Sequence, residues 1–238
     1  TIVNEQQRLL GFKVQASAFG LPIPIGWGRN RIPGNLMWYG DFTPVAHTTS
    51  ESSGGKGGGG TTRRDTTYTY RAAFMLLLGE GPITSVGAMW VNKNRYPSVS
   101  ALFSTFLGSY SQVEWSHLST NHPNESLTYR GIAYVAAEVY DLGTSGSLPN
   151  HTFEVNWGIQ QGGGIAGANP KDIVNDVLVN AHYGVTFPVS SIGDLTQWSN
   201  YCVANGVFLS PAIMGQRPAA EFIEHIAELS GAGIVYSE

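Results

Sequence analysis

Phe153, Val155, Trp157 and Ile159 alternate with Thr152, Glu154, Asn156 and Gly158, and an earlier run sets Phe12, Val14, Ala16 and Ala18 against Lys13, Gln15 and Ser17. Successive side chains of a strand point to opposite faces, so each run must bury one face and can leave the other polar. Ile23, Ile25 and Trp27 continue this alternation despite Pro22 and Pro24, which lack an N–H donor and predict an edge position. From 28 to 42 the chain reads strand, turn, strand: Ile32, Leu36, Met37, Trp38 and Tyr39 are apolar, and Pro33-Gly34-Asn35 is turn chemistry. Residues 67–78, 83–91 and 131–140 predict three more strands, the first two joined through Gly79-Glu80-Gly81-Pro82.

After Gly164 the period changes. Asn169-Pro170 with Asp172 is an N-cap, a proline at the first helical position and an acid in the first turn, and Ile173, Val174, Val177 and Leu178 share a face. A helix is predicted from there to about Ala181. A second opens at Gln216-Arg217-Pro218, buries Phe222, Ile223, Ile226 and Leu229, and stops at Gly231; a third, capped by Asp194, covers 195–204 with Leu195, Trp198, Tyr201 and Cys202. The fold class expected is α+β, mainly β: a β body over 1–165 with a loop or helical insertion at about 98–130, then a helix-rich segment over 166–238. Residues 48–67, polar and glycine-rich, read as a loop too low in hydrophobicity to order itself.

Charged residues make up 13% of the 238, about half of the roughly 25% usual for soluble domains. Two readings follow: an all-β protein rich in glycine turns, or a subunit largely covered by neighbours. The net charge is −4 and Lys and Arg are spread thinly, so there is no basic stripe to neutralise phosphates. The one cysteine, Cys202, excludes an internal disulfide and reads as a buried, inert thiol between Tyr201 and Val203. No run reaches the ~18 apolar residues of a membrane-spanning helix. The start at Thr1 and the stop within Val235-Tyr236-Ser237-Glu238 suggest a chain that continues in the native protein.

Motifs for chemistry are weak. In Gly54–Gly60, GGKGGGG, Lys56 is followed by Gly57 and Gly58 rather than Ser or Thr, and no apolar strand precedes it, which speaks against a phosphate loop. The six histidines contain no HExxH and no helical i, i+4 pair, and no GxSxG elbow occurs, so neither a metal nor a catalytic residue is assigned. Glu114 beside Trp115, or Glu154 near Trp157, would be the carboxylates of a glycosidase, and the tryptophans a sugar-stacking platform; a solvent-facing Glu154 and core tryptophans are the simpler reading.

Several blocks stand in an order of their own: AFGLPIPI at 18–25, GRNRIPGNLMWYGDF at 28–42, GKGGGG with Tyr68-Thr69-Tyr70, LGEGPI at 78–83, YRGIAYV at 129–135, LPNHTFEV at 148–155, LSPA at 209–212 and QRPAA at 216–220. Together they resemble the N-terminal part of the tail hub, or baseplate central protein, of long-tailed bacteriophages and gene transfer agents, and are distantly similar to the tip attachment protein of lambda-like phages. The resemblance implies tail-tube-like antiparallel β-barrels, a helix-rich segment opening a second hub domain, and a homotrimeric ring in the virion, assembled in the bacterial host cytoplasm. Its partners would be the distal tail protein above, a fibre or spike and other tip proteins below, and the tape measure protein and DNA in passage; it implies no enzymatic residues and no cofactor. In that setting Lys56, Gly57, Gly58, Arg31, Trp38 and Tyr39 are candidates for subunit contacts, and Lys13, Gln15, Glu154 and Asn156 for a neutral-to-acidic channel wall. The alternative is a β-rich carbohydrate-binding or glycoside-hydrolase-like module.

Overall fold

The computed structural model describes residues 2–11, 21–53 and 61–235. The strands are β1 (Ile2–Glu5), β2 (Ile25–Gly26), β3 (Arg29–Pro33), β4 (Asn35–Ser53), β5 (Thr61–Glu80), β6 (Ser85–Val91), β7 (Asn94–Tyr96), β8 (Ser104–Leu107), β9 (Ile132–Gly143), β10 (His151–Asn156) and β11 (Ala212–Ile213). The helices are α1 (Ser116–Asn121), α2 (Pro170–Val179), α3 (Thr196–Ala204) and α4 (Ala219–Leu229). The strand expected at 12–18, with Lys13 and Gln15, lies outside the described residues, as does the loop with Lys56, Gly57 and Gly58.

Two sheets carry the β body. In the larger, β5 pairs antiparallel with β4 on one side and β9 on the other, β8 extends β9, and β1 adds a short parallel pairing from Ile2↔Arg63 to Glu5↔Thr66. The smaller has the order β3-β10-β6-β7. Among the described residues these pairings close no ring, so the expected barrel is instead two open sheets facing each other across Ile32, Phe74, Leu76, Met89, Val135 and Phe153. Pro33-Gly34-Asn35 is a turn, as read, yet it joins strands of different sheets: Gly34 N–H donates to the His151 carbonyl at 3.0 Å and the chain leaves one sheet for the other.

β5 is buried on both faces from Ala72 to Gly79. Its alternation explains why: Phe74, Leu76 and Leu78 enter the inter-sheet core, while Ala73 and Met75 turn outward and are covered by Trp115, Leu118 and Tyr134. The 98–130 insertion supplies that cover. It holds the short helix α1, and its residues 104–107 form strand β8, which pairs with an edge of β9. Trp157 packs over two glycines, and a Cβ on Gly26 or Gly79 would stand 2.3 or 2.5 Å from its indole.

The helices follow their sequence signals closely. Asn169 Oδ1 accepts from Lys171 N–H at 3.0 Å and caps α2, which ends at Val179, and Ile173, Val174 and Val177 are buried. Asp194 Oδ1 accepts from Thr196 N–H at 2.9 Å at the start of α3, although only Cys202 of that helix is fully buried. Gly231, at φ +71°, follows the end of α4, whose buried residues are Phe222, Ile226 and Ala227; Leu229 faces solvent instead of joining the stripe. Trp27 belongs to this helical core, and β2 pairs with β11, so the N-terminal segment is stitched to the C-terminal one.

The largest departure is at 48–67. Residues 48–53 and 61–67 continue β4 and β5 as an antiparallel ribbon, registered from Thr48↔Thr66 to Ser53↔Thr61. Hydrophobicity failed as a guide because the pairing is main-chain hydrogen bonding, and Thr48, Thr49, Thr61, Thr62, Thr66 and Thr67 are β-branched residues suited to extended backbone.

His151 is buried beneath the sheets with its Nε2 3.0 Å from the Tyr140 hydroxyl, and burial lowers its pKa to about 4. Its folded value lies below its unfolded one, so the unfolded chain takes up the proton first as pH falls. Stability is expected to be unaffected by this group above about pH 6.5 and to decline by up to about 3 kcal/mol as pH drops towards 4. Urea melts of wild type and His151→Gln at pH 7 and 4.5 check this; the variant should lack that part of the slope.

Candidate functional site

Of the described residues expected at subunit contacts or a channel wall, Arg31, Glu154 and Asn156 fall on one surface and Trp38 on another. The first is the outer face of the smaller sheet. Arg31 and Glu154 are directly opposed in the β3–β10 register, as are Arg29 and Asn156. Arg29 Nε donates to Asn156 Oδ1 at 2.7 Å, Arg31 Nε to Thr152 Oγ1 at 2.7 Å, and the Arg31 guanidinium lies 4.1 Å from the Trp90 ring centroid, with Arg95 on the same ring at 5.8 Å. Glu154 points to this face while Phe153, Val155 and Trp157 point into the core, so Glu154 and Trp157 do not share a site. Arg29, Arg31 and Arg95 against Glu154 make this face basic, a property that individual strands did not reveal.

The second surface is the outer side of β4. Trp38 is half-buried with the Trp115 cluster, separate from the core that holds Phe153, Val155 and Trp157. Its indole N–H donates to Glu125. Tyr39, next in sequence and therefore on the other face, is 52% exposed. Trp27, Trp115 and Trp157 are core residues, which removes them from any sugar-stacking platform. Cys202 is fully buried, and burial raises its thiol pKa, so it is the inert thiol expected.

Beside Trp38 lies a constellation that sequence reasoning missed. The β4–β5 register slips between Gly40 and Thr43, and in that bulge Asp41 adopts φ +52°, turning its carboxylate towards α1. His117 Nε2 lies 2.7 Å from Asp41 Oδ2, and His122 Nε2 lies 3.1 and 3.2 Å from its two oxygens. On its other nitrogen, His117 Nδ1 faces Glu138 Oε1 at 3.2 Å. His117 is buried, and the His122 ring stacks edgewise on Trp38 with centroids 5.1 Å apart. Burial pushes the Asp41 pKa up, but contacts from both histidines more than offset this and hold it below the usual carboxylate range. The group lines a surface cleft of about 450 Å³ together with Thr43, Arg71 and Asn121. Asp41 lies 76 residues from His117 in sequence, so no short spacing rule detects the group; the bulge that aims it is equally invisible.

No known family model matches the chain, and no curated protein does. Among solved structures, the fold is similar to that of a chain in the virion of a native gene transfer agent particle, with a TM-score of 0.50 and 19% identity over 86% of this chain. The match spans 47% of that virion chain, so this sequence corresponds to about half of its length.

Proposed function

We propose that the chain is a structural subunit of a phage-like virion, part of the hub that ends the tail tube. The observation that carries this reading is the likeness of fold to a chain of a gene transfer agent virion over 86% of the sequence. Three features support it. The sheets are open, and open edges of sheets find partners. The described end of the ribbon, residues 47–53 and 61–67 with the exposed β1 alongside, contributes nothing to the hydrophobic clusters, and a few strands without a hydrophobic face are marginal on their own, so a neighbouring surface has to hold them. The charged fraction of 13% fits a molecule covered by copies and partners.

In this proposal three copies form a ring that meets the distal tail protein on one side and a fibre or spike on the other, and the tape measure protein and DNA pass along the axis without specific binding. The chain acts mechanically and not as an enzyme. A basic wall would retain phosphate, so the face with Arg29, Arg31, Arg95 and Glu154 meets a protein neighbour and the lumen is lined by other residues. This moves Glu154 and Asn156 from the wall to a contact. Native mass measurement of the full-length protein is expected to give a trimer, or multiples of three in assembled tips. A full-length protein that stays monomeric at micromolar concentration would overturn the proposal.

A further inference from the structure

We propose that Asp41, His117 and His122 bind one divalent transition-metal ion, of which Zn²⁺ is the type, and that the ion staples the insertion carrying α1 to the β4 bulge. Two imidazole nitrogens and a carboxylate oxygen are the donor set that borderline cations take, and these three ligand atoms lie within 4.8 Å of one another. Zinc ligands at bond lengths of about 2.0–2.1 Å stand roughly 3.4 Å apart in a tetrahedron. The present contacts of 2.7 to 3.2 Å from the carboxylate to the two Nε2 atoms need to open by only about half an ångström.

The surroundings fit as well. Glu138 Oε1 at 3.2 Å and Asn121 Nδ2 at 3.3 Å both face Nδ1 of His117; with the Asn121 amide donating to the His117 carbonyl at 3.2 Å and the Nδ1 N–H directed at the carboxylate, Nε2 is left as the lone-pair side, turned towards Asp41. A second carboxylate fixing a ligating histidine in this way is the arrangement that raises imidazole basicity and orients the ring at metal centres. The cleft contains two carboxylates, Asp41 and Glu138, and one guanidinium, Arg71, which leaves net negative charge for a dication. The fourth position opens into the cleft, where water completes the shell. The three ligands come from β4, from α1 and from the residue that follows α1, so the ion would bridge segments otherwise joined through Trp38, Trp115 and Leu118.

The test is a Zn²⁺ titration of the chelator-treated full chain against a chromophoric competitor, with Co²⁺ absorption as a readout of geometry. The expected result is one ion per chain, a rise in melting temperature with Zn²⁺, and intense tetrahedral-type d–d bands with Co²⁺. His122→Gln and Asp41→Asn should each weaken binding by at least about 100-fold, and Glu138→Gln, which alters only the outer partner, by about 10-fold. Asn tolerates the left-handed backbone of residue 41, and the Glu138 side chain is mostly exposed, so at least one folded variant remains informative if another misfolds. His47→Gln, on the distant ribbon, should bind as wild type. The proposal fails if the wild-type chain takes up no stoichiometric ion at micromolar Zn²⁺, or if folded His122→Gln, Asp41→Asn and Glu138→Gln proteins all bind as tightly as it does.

Discussion

Trp27→Ala is expected to destabilise the protein by about 3–5 kcal/mol, the range for emptying a buried aromatic site. Trp27 is 1% exposed and stacks on Phe222 at a centroid distance of 5.4 Å, with Tyr183 edge-on at 6.4 Å. Its indole N–H donates to Asp176 Oδ2 at 2.8 Å, the same oxygen that accepts from the Tyr183 hydroxyl at 2.7 Å. Truncation therefore opens a cavity between α2 and α4 and takes one donor from a carboxylate. Because Trp27 follows β2 directly, the same change loosens the stitch between the N-terminal segment and the helices. Trp27→Phe keeps the ring contacts and loses the hydrogen bond, so it should cost nearer 1.5–3 kcal/mol, the range for a hydrogen bond to a charged group. Urea melts of the three proteins give the comparison, and limited proteolysis should show 205–218 cut faster in Trp27→Ala. A cost below about 1 kcal/mol would mean that the helical core closes without this residue.

Replacing residues 47–67 by a two-residue turn is expected to leave the body folded and to abolish assembly. None of the described residues among them belongs to a hydrophobic cluster, and their side-chain contacts are exposed: His47 Nε2 to Thr69 Oγ1 at 2.8 Å, Thr48 Oγ1 to Thr66 Oγ1 at 3.2 Å, Arg63 to Asp65 at 3.0 Å, and Asn4 Nδ2 to Asp65 Oδ1 at 2.9 Å. Exposed pairs of this kind contribute little, and β1, which loses its pairing with residues 63–66, is itself exposed throughout, so the melting midpoint of the shortened protein should shift little. Assembly is another matter. If the ribbon pairs with a neighbour, several main-chain hydrogen bonds at about 1 kcal/mol each disappear per contact, and a loss of about 3 kcal/mol already weakens association roughly hundredfold. Particle yield and infectivity from a strain carrying the deletion would measure this. Normal yield would show that the ribbon is not an assembly element and would remove one support of the proposed hub role.

Local chemistry that contrasts with its neighbours was readable from the chain alone. The alternation of β10, the Asn169 cap with Pro170 behind it, the Phe222 and Ile226 stripe and the stop at Gly231 each depend on residues within a turn or two, and each stands where the sequence put it. The ribbon was not readable, because threonine-rich strands that bury neither face carry no hydrophobic period, and their order comes from backbone pairing with a partner chosen by register. Sheet membership was hidden for a similar reason: β3 and β4 are adjacent in sequence, yet β3 pairs with β10, more than a hundred residues away, and the tight turn between them is a corner. The Asp41, His117 and His122 group depends on both effects at once. A slip in register aims the carboxylate, and an insertion folded over the sheet brings the imidazoles to it. Sequence determines what each segment can bury or cap within its own turns; which distant edge or face it meets is decided only when the whole chain competes for the same core.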